Sequence, residues 1–91
     1  MSESTTIEKL IGKNVFVRTV TLYYTGKLSA VGEHFITLDD ASWVADTGRF
    51  TAALAGGKLN EVEPYPGECL INIGAVVDIS PWHHDLPRTQ K

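Results

Sequence analysis

The stretch from Leu22 to Asp40 limits this chain more than any other. It reads strand, tight turn, strand. Leu22, Tyr24, Gly26, Leu28 and Ala30 fall on one pleat face, and Tyr23, Thr25, Lys27 and Ser29 on the other. Val31-Gly32-Glu33 is expected to turn the chain, with Gly32 supplying a positive φ. Phe35-Ile36-Thr37-Leu38 is β-branched and aromatic, as a returning strand prefers.

Ninety-one residues make one small domain with a thin core. Oligomerisation would add to that core. Cys69 is the single cysteine, so no internal disulfide forms, which fits a reducing compartment. The N-terminus has neither a basic region nor an apolar run long enough for a signal or a membrane span. A cytoplasmic location, in a bacterium or a phage-infected host, is expected. The net charge is −3, whereas a protein that lives on phosphate contacts is usually basic. Lys9, Lys13, Arg18 and Lys27 gather in the first third, so one basic face is compatible with that total.

Residues 1–5 are polar and expected to be disordered. Thr5-Thr6-Ile7-Glu8 fits a capping box, and Ile7, Leu10 and Ile11 share a helical face before Gly12. This predicts a short α-helix over Thr6–Ile11 with all three apolar residues buried. Asn14 to Thr21 reads as the first strand. After the hairpin, Asp46 or Thr47 can cap a helix over Thr47–Ala55. Its stripe is Phe50, Ala53 and Leu54, and it ends at Gly56-Gly57. Glu61-Val62-Glu63 alternates like a short strand, and Pro64-Tyr65-Pro66-Gly67 is a turn. Glu68–Ile73 and Ala75–Ile79 read as two strands almost in line, broken at Gly74. Residues 81–91 read as a polar tail. The expected class is mainly β: a five-stranded, strongly bent open barrel of SH3 type. It carries an N-terminal α-helix and an inserted helix and loop, residues 45–66, between the third and fourth strands.

Two segments carry a family resemblance. Gly26-Lys27-Leu28 with Ile36-Thr37-Leu38-Asp39-Asp40-Ala41, after a helix ending Leu10-Ile11-Gly12-Lys13, resembles the first motif of Sm-like (LSm/Hfq-type) domains. Leu70-Ile71-Asn72-Ile73-Gly74-Ala75-Val76-Val77-Asp78-Ile79 is similar to their second motif. The likeness spans about residues 5–44 and 68–80, within a domain over residues 6–80. Gly32 and His34 or Phe35 stand where the family's turn carries Asp and then Asn, and Asn72-Ile73 stands where it carries Arg-Gly. With Trp43, Gly48-Arg49-Phe50 and Glu63-Pro64-Tyr65-Pro66, the chain resembles a divergent member of phage or phage-like origin.

The resemblance implies a homo-oligomeric ring of roughly five to seven copies and single-stranded RNA as partner. His34 and Phe35 are candidates for stacking on and hydrogen-bonding a base. Asn72 is a candidate for a base edge, with Gly74 allowing close approach. Each also has a plainer reading: Phe35 as packing, His34 as solvated, Asn72 as the close of a strand bend. The ring contact is expected where one subunit's fourth strand meets the next subunit's fifth, through Leu70, Ile71, Ile73, Val76, Val77 and Ile79. The other function class is a phage-type structural or assembly protein that uses the ring for protein contacts. Exposed aromatics such as Trp43 or Tyr65 would then mark a protein interface.

No catalytic signature stands out, so a non-enzyme without cofactor or metal is expected. His83-His84-Asp85 lies in a proline-flanked stretch without regular geometry to aim at one ion. Cys69 sits in an apolar strand with no evident base, and Asp39 and Asp40 as strand neighbours point to opposite faces.

Overall fold

The architecture follows from one strand that is buried on both sides. In the computed structural model, which describes residues 7–57 and 59–87, β1 (Asn14–Thr19) holds Val15, Phe16 and Val17 all at 0% exposure. Alternate strand residues point to opposite faces, so a strand whose three central neighbours are all buried must separate two apolar layers. Val15 and Val17 join Leu28, Ile36, Leu38 and Ile71 in a first core. Phe16 joins Val44, Val62 and Trp82 in a second.

β1 pairs antiparallel with β2 (Tyr23–Val31), which pairs with β3 (Phe35–Asp46). The other side of β3 is shared. Its first residues pair with β5 (Cys69–Asn72), and its last with β4 (Glu61–Pro64). β6 (Val76–Pro81) closes on β1, giving the order β4-β3-β2-β1-β6 with β5 beside β3. The described residues thus contain six strands where five were expected. The additional one is β4, in the segment read as insertion and loop. β3 also runs on to Asp46, past the expected start of the insertion at residue 45.

The hairpin is more irregular than simple alternation predicts. Ser29 is an extra residue between the Leu28–Leu38 and Ala30–Thr37 pairs, so Ala30 turns out to solvent. On the partner strand Asp40 takes φ 51° and adds an extra residue opposite Gly26. A Cβ at Gly26 would stand 3.0 Å from Leu38 Cβ and 3.1 Å from Asp39 O, so the strands cross closely only because position 26 has no side chain. The turn itself is Gly32–His34. Val31 is still paired, with Ile36, and the Gly32 N–H donates to Phe35 O at 2.8 Å. Gly32 is not among the positive-φ glycines, contrary to expectation; those are Gly12, Gly48 and Gly57.

The N-terminal α-helix is also corrected. Ile7–Leu10 is a 3₁₀ turn, Ile11 is 43% exposed, and Ile7 and Leu10 are only half-buried against the first core. So short a segment cannot recover the cost of α-nucleation. It is held from outside instead, by Gly12 N–H donating to Leu28 O and Leu28 N–H to Lys13 O. The expected cap at Thr5 and the stretch 1–5 lie outside the described residues.

The inserted helix, α1 (Phe50–Gly56), starts later than expected. Asp46 does not cap it: its Oδ1 accepts from Gly48 N–H, and the Thr47 hydroxyl donates to Gly48 O. The C-terminal end is as read, with Gly57 left-handed at φ 76° and its N–H on Ala53 O. Ala53 is buried and Phe50 and Leu54 pack beside it on the second core. The expected polar tail completes that core. Trp82 is 3% exposed and stacks on Phe16 at 5.5 Å, and Leu86 is buried nearby. Its backbone N–H donates to Asn14 O, its indole N–H donates to Asp85 O, and the Ser42 hydroxyl donates to Pro87 O. None of the helices described is long and apolar enough to cross a membrane.

Candidate nucleic-acid interface

Two separate stretches of chain meet at one end of the sheet. β5 runs antiparallel to the start of β3, so Asn72 lies opposite Phe35. The chain then leaves β5 through a 3₁₀ turn, Ile73–Ala75, into β6. At the head of that turn the Ile73 N–H donates to His34 O at 2.8 Å. This backbone bond fastens the β2–β3 turn to the β5–β6 turn. The four residues singled out from sequence, His34, Phe35, Asn72 and Gly74, therefore share one surface.

Their side chains differ in freedom. Phe35 is 46% exposed, a large ring spent on neither core. The His34 side chain is 81% exposed and stands 3.9 Å from the Glu33 carboxylate. Asn72 caps the 3₁₀ turn: its Oδ1 accepts from Gly74 N–H at 2.8 Å, which leaves the amide NH₂ to face other partners. Gly74 lies so close to that cap that a Cβ there would stand 3.2 Å from Asn72 Oδ1. The surface thus offers an exposed aromatic face, an imidazole and a fixed amide, the groups that stack on and hydrogen-bond an unpaired base.

The expected subunit contact divides in two. Leu70 and Val77 are each 58% exposed. Ile71 is buried in the first core, and Ile73, Val76 and Ile79 pack half-buried against it, so these four serve their own chain. The alternation along β5, buried at Cys69 and Ile71 and exposed at Leu70 and Asn72, accounts for the split. Among the described residues β5 pairs with β3 alone and β6 with β1 alone.

The remaining candidates are tied into structure. Burial pushes the Cys69 thiol pKa up, against a smaller opposite effect from its hydrogen bond with Tyr65. The Tyr65 hydroxyl is pushed up to about 12, by burial first and then by Cys69 and Tyr24. His84 Nε2–H donates to Leu54 O at 2.7 Å while its ring meets Trp82 edge-on. Sequence reading missed an ion pair on the second-core side of the sheet. Arg18 grips Asp78 with two donors, Nε–H reaching Oδ1 at 2.9 Å, and its guanidinium lies 4.8 Å over the Phe50 ring. Opposite charges at one cross-strand pair were the available signal.

No family model matches this chain, and no curated protein does. Solved structures do. A Sm protein of Pyrococcus abyssi in complex with a uridine heptamer aligns at 23% identity and a TM-score of 0.60, over 82% of this chain and 90% of that one. The SmAP1 heptamer of P. aerophilum aligns at 24% identity and 0.60, over 81% and 84%. At these identities the likeness establishes the fold: a bent antiparallel sheet of the Sm type.

Proposed function

We propose that this chain is a ring-forming, Sm-like module that binds single-stranded RNA and carries out no catalysis, acting in a cytoplasm. One observation carries the reading. The bond from Ile73 N–H to His34 O brings Phe35, His34 and Asn72 onto one exposed surface, although they come from two distant stretches. Support for the ligand class comes from the fold likeness to a Sm protein solved with a uridine heptamer. Support for the assembly comes from the likeness to a heptamer and from the outer sides of β5 and β6. Pairing β5 of one copy with β6 of the next uses two different surfaces, and such a contact closes into a ring where its rotation closes and runs on as a filament where it does not. Closure would cover Leu70 and Val77.

In this reading Phe35 stacks on a base, the Asn72 amide addresses its edge, and Gly74 keeps the turn tight enough to hold that amide. With a net charge of −3, affinity comes from stacking repeated around the ring more than from phosphate neutralisation. The test is oligouridine binding by the full chain at low and moderate salt. Phe35→Ala should weaken binding by about 1–3 kcal/mol for each base stacked, and Asn72→Asp should weaken it with the particle mass unchanged. Absence of binding at low salt, where phosphate contacts are strongest, would sink the RNA reading.

A further inference from the structure

A second surface lies at the other end of β3 and has no part in the RNA reading. Trp43 and Glu63 face each other across the β3–β4 pair. With Pro64, Tyr65 and Pro66 they line an open groove of about 360 Å³. Its walls are firm. Pro64 sits opposite Ser42, and the Tyr65 N–H donates to Ala41 O at 2.8 Å. The Tyr65 ring lies 6.4 Å from Tyr24, and two prolines fix the chain on either side of it. Tyr65 is nevertheless 37% exposed, and Trp43 is only half-buried. Two large rings at a fixed groove exceed what the cores need.

Carboxylates border the groove: Glu63 lines it, and Glu61 and Glu68 lie on either side of its lining segment in the chain. Glu61, Glu63 and Glu68 are all exposed. Glu61 and Glu63 share a strand face, and Glu68 follows Pro66 by two residues. Such a rim repels a polyanion and attracts a cation. Aromatic and proline-lined grooves accept polyproline II segments, whose rings pack on Trp and Tyr faces and whose stiffness lowers the entropy cost of docking. We propose that the Trp43–Tyr65 groove docks a basic, proline-containing peptide segment of a partner protein, held in polyproline II form. Prolines fill the space between Trp43 and Tyr65, and Lys or Arg flanks meet the exposed carboxylates at Glu61 and Glu68.

The probe is a fluorescein-labelled, proline-rich decapeptide with arginines at its ends, titrated into the full chain and followed by anisotropy. Saturable binding is expected, falling about tenfold or more when the arginines become glutamates or when salt is raised. Replacing the prolines by alanine should weaken it similarly, and Trp43→Ala should abolish it. Because Trp43 supports the sheet, a second variant avoids the groove's packing. Glu61→Gln with Glu68→Gln removes exposed carboxylates only, and should weaken the peptide while circular dichroism stays unchanged and oligouridine binding is not lowered. The proposal is overturned if the peptide shows no saturable binding at millimolar concentration. It is also overturned if the acidic peptide binds equally well, or if oligouridine displaces the peptide in a Trp43-dependent way, which would make the groove a nucleic-acid surface. Loss of RNA binding in Phe35→Ala with peptide binding retained separates this site from the one at His34.

Discussion

Gly26 shows how much of a bent sheet can depend on one missing atom. Its neighbours across the strand, Leu38 Cβ and Ala41 Cα, would lie 3.0 and 3.2 Å from an added Cβ. Two of the three nearest atoms are backbone and cannot rotate away. Gly26→Ala should therefore cost about 1–3 kcal/mol, read as a fall in the urea midpoint with little change in slope. Asp78 gives a prediction of a different kind. The hydrogen bonds from Arg18 hold its carboxyl pKa below the ordinary value of 3.8. A carboxyl depressed in the folded state stabilises fully above 3.8 and loses that contribution as pH falls through its lower folded value. Asp78→Asn should flatten this acid limb of the stability curve and leave the neutral-to-alkaline slope as it was. Both partners are more than a third exposed, so the effect is modest and shrinks with salt.

At the scale of elements, α1 and the segment after β6 form one cover over the back of the sheet. Trp82 is the centre of it: 3% exposed and stacked on Phe16. Trp82→Ala should cost about 3–5 kcal/mol. Phe50 touches Phe16 and Arg18 but is only half-buried. Phe50→Ala should cost less than that range, and thermal melts of the two variants would rank them. The difference between these elements explains what the sequence showed. The hairpin, the stop at Gly12, the stripe Phe50–Ala53–Leu54 and the end at Gly57 are local patterns with a period or a turn chemistry, and they were legible. β4 was half-legible: a single inward residue, Val62, between two glutamates and beside a proline makes a weak strand signal, and β3 supplies the rest from a distance. The segment from Pro81 was misread because Trp82 and Leu86 are buried from irregular backbone, where burial leaves no period. The candidate site was legible residue by residue, through the family resemblance. The bond from Ile73 to His34 was not, because a backbone-to-backbone contact leaves no mark in side-chain identity.

For the whole molecule the central question is assembly. Leu70 and Val77 are large apolar side chains left to solvent on β5 and β6. Leu70→Lys or Val77→Lys places a charge at the proposed contact without touching either core. Each should lower the native mass while the circular dichroism of the fold persists. Ile71→Lys should unfold the chain instead, since Ile71 belongs to its own first core. A wild-type mass of a single chain at micromolar concentration would end the ring reading. The seating of Trp82 on Phe16 also bears on how the protein is made. Synthesis runs from the N-terminus, and structure forms as chain emerges. β1, β2, β3 and β5 are all available to enclose the first core before Trp82 exists. Until it leaves the ribosome, Phe16 has Tyr23 and Phe50 beside it but lacks the ring that stacks on it. The nascent chain passes through an interval of aromatic exposure, the kind of surface that recruits chaperones. A copy cut short just before Trp82 would carry every residue of the first core yet leave the Trp82-facing side of Phe16 uncovered permanently, which directs incomplete copies to aggregation or proteolysis.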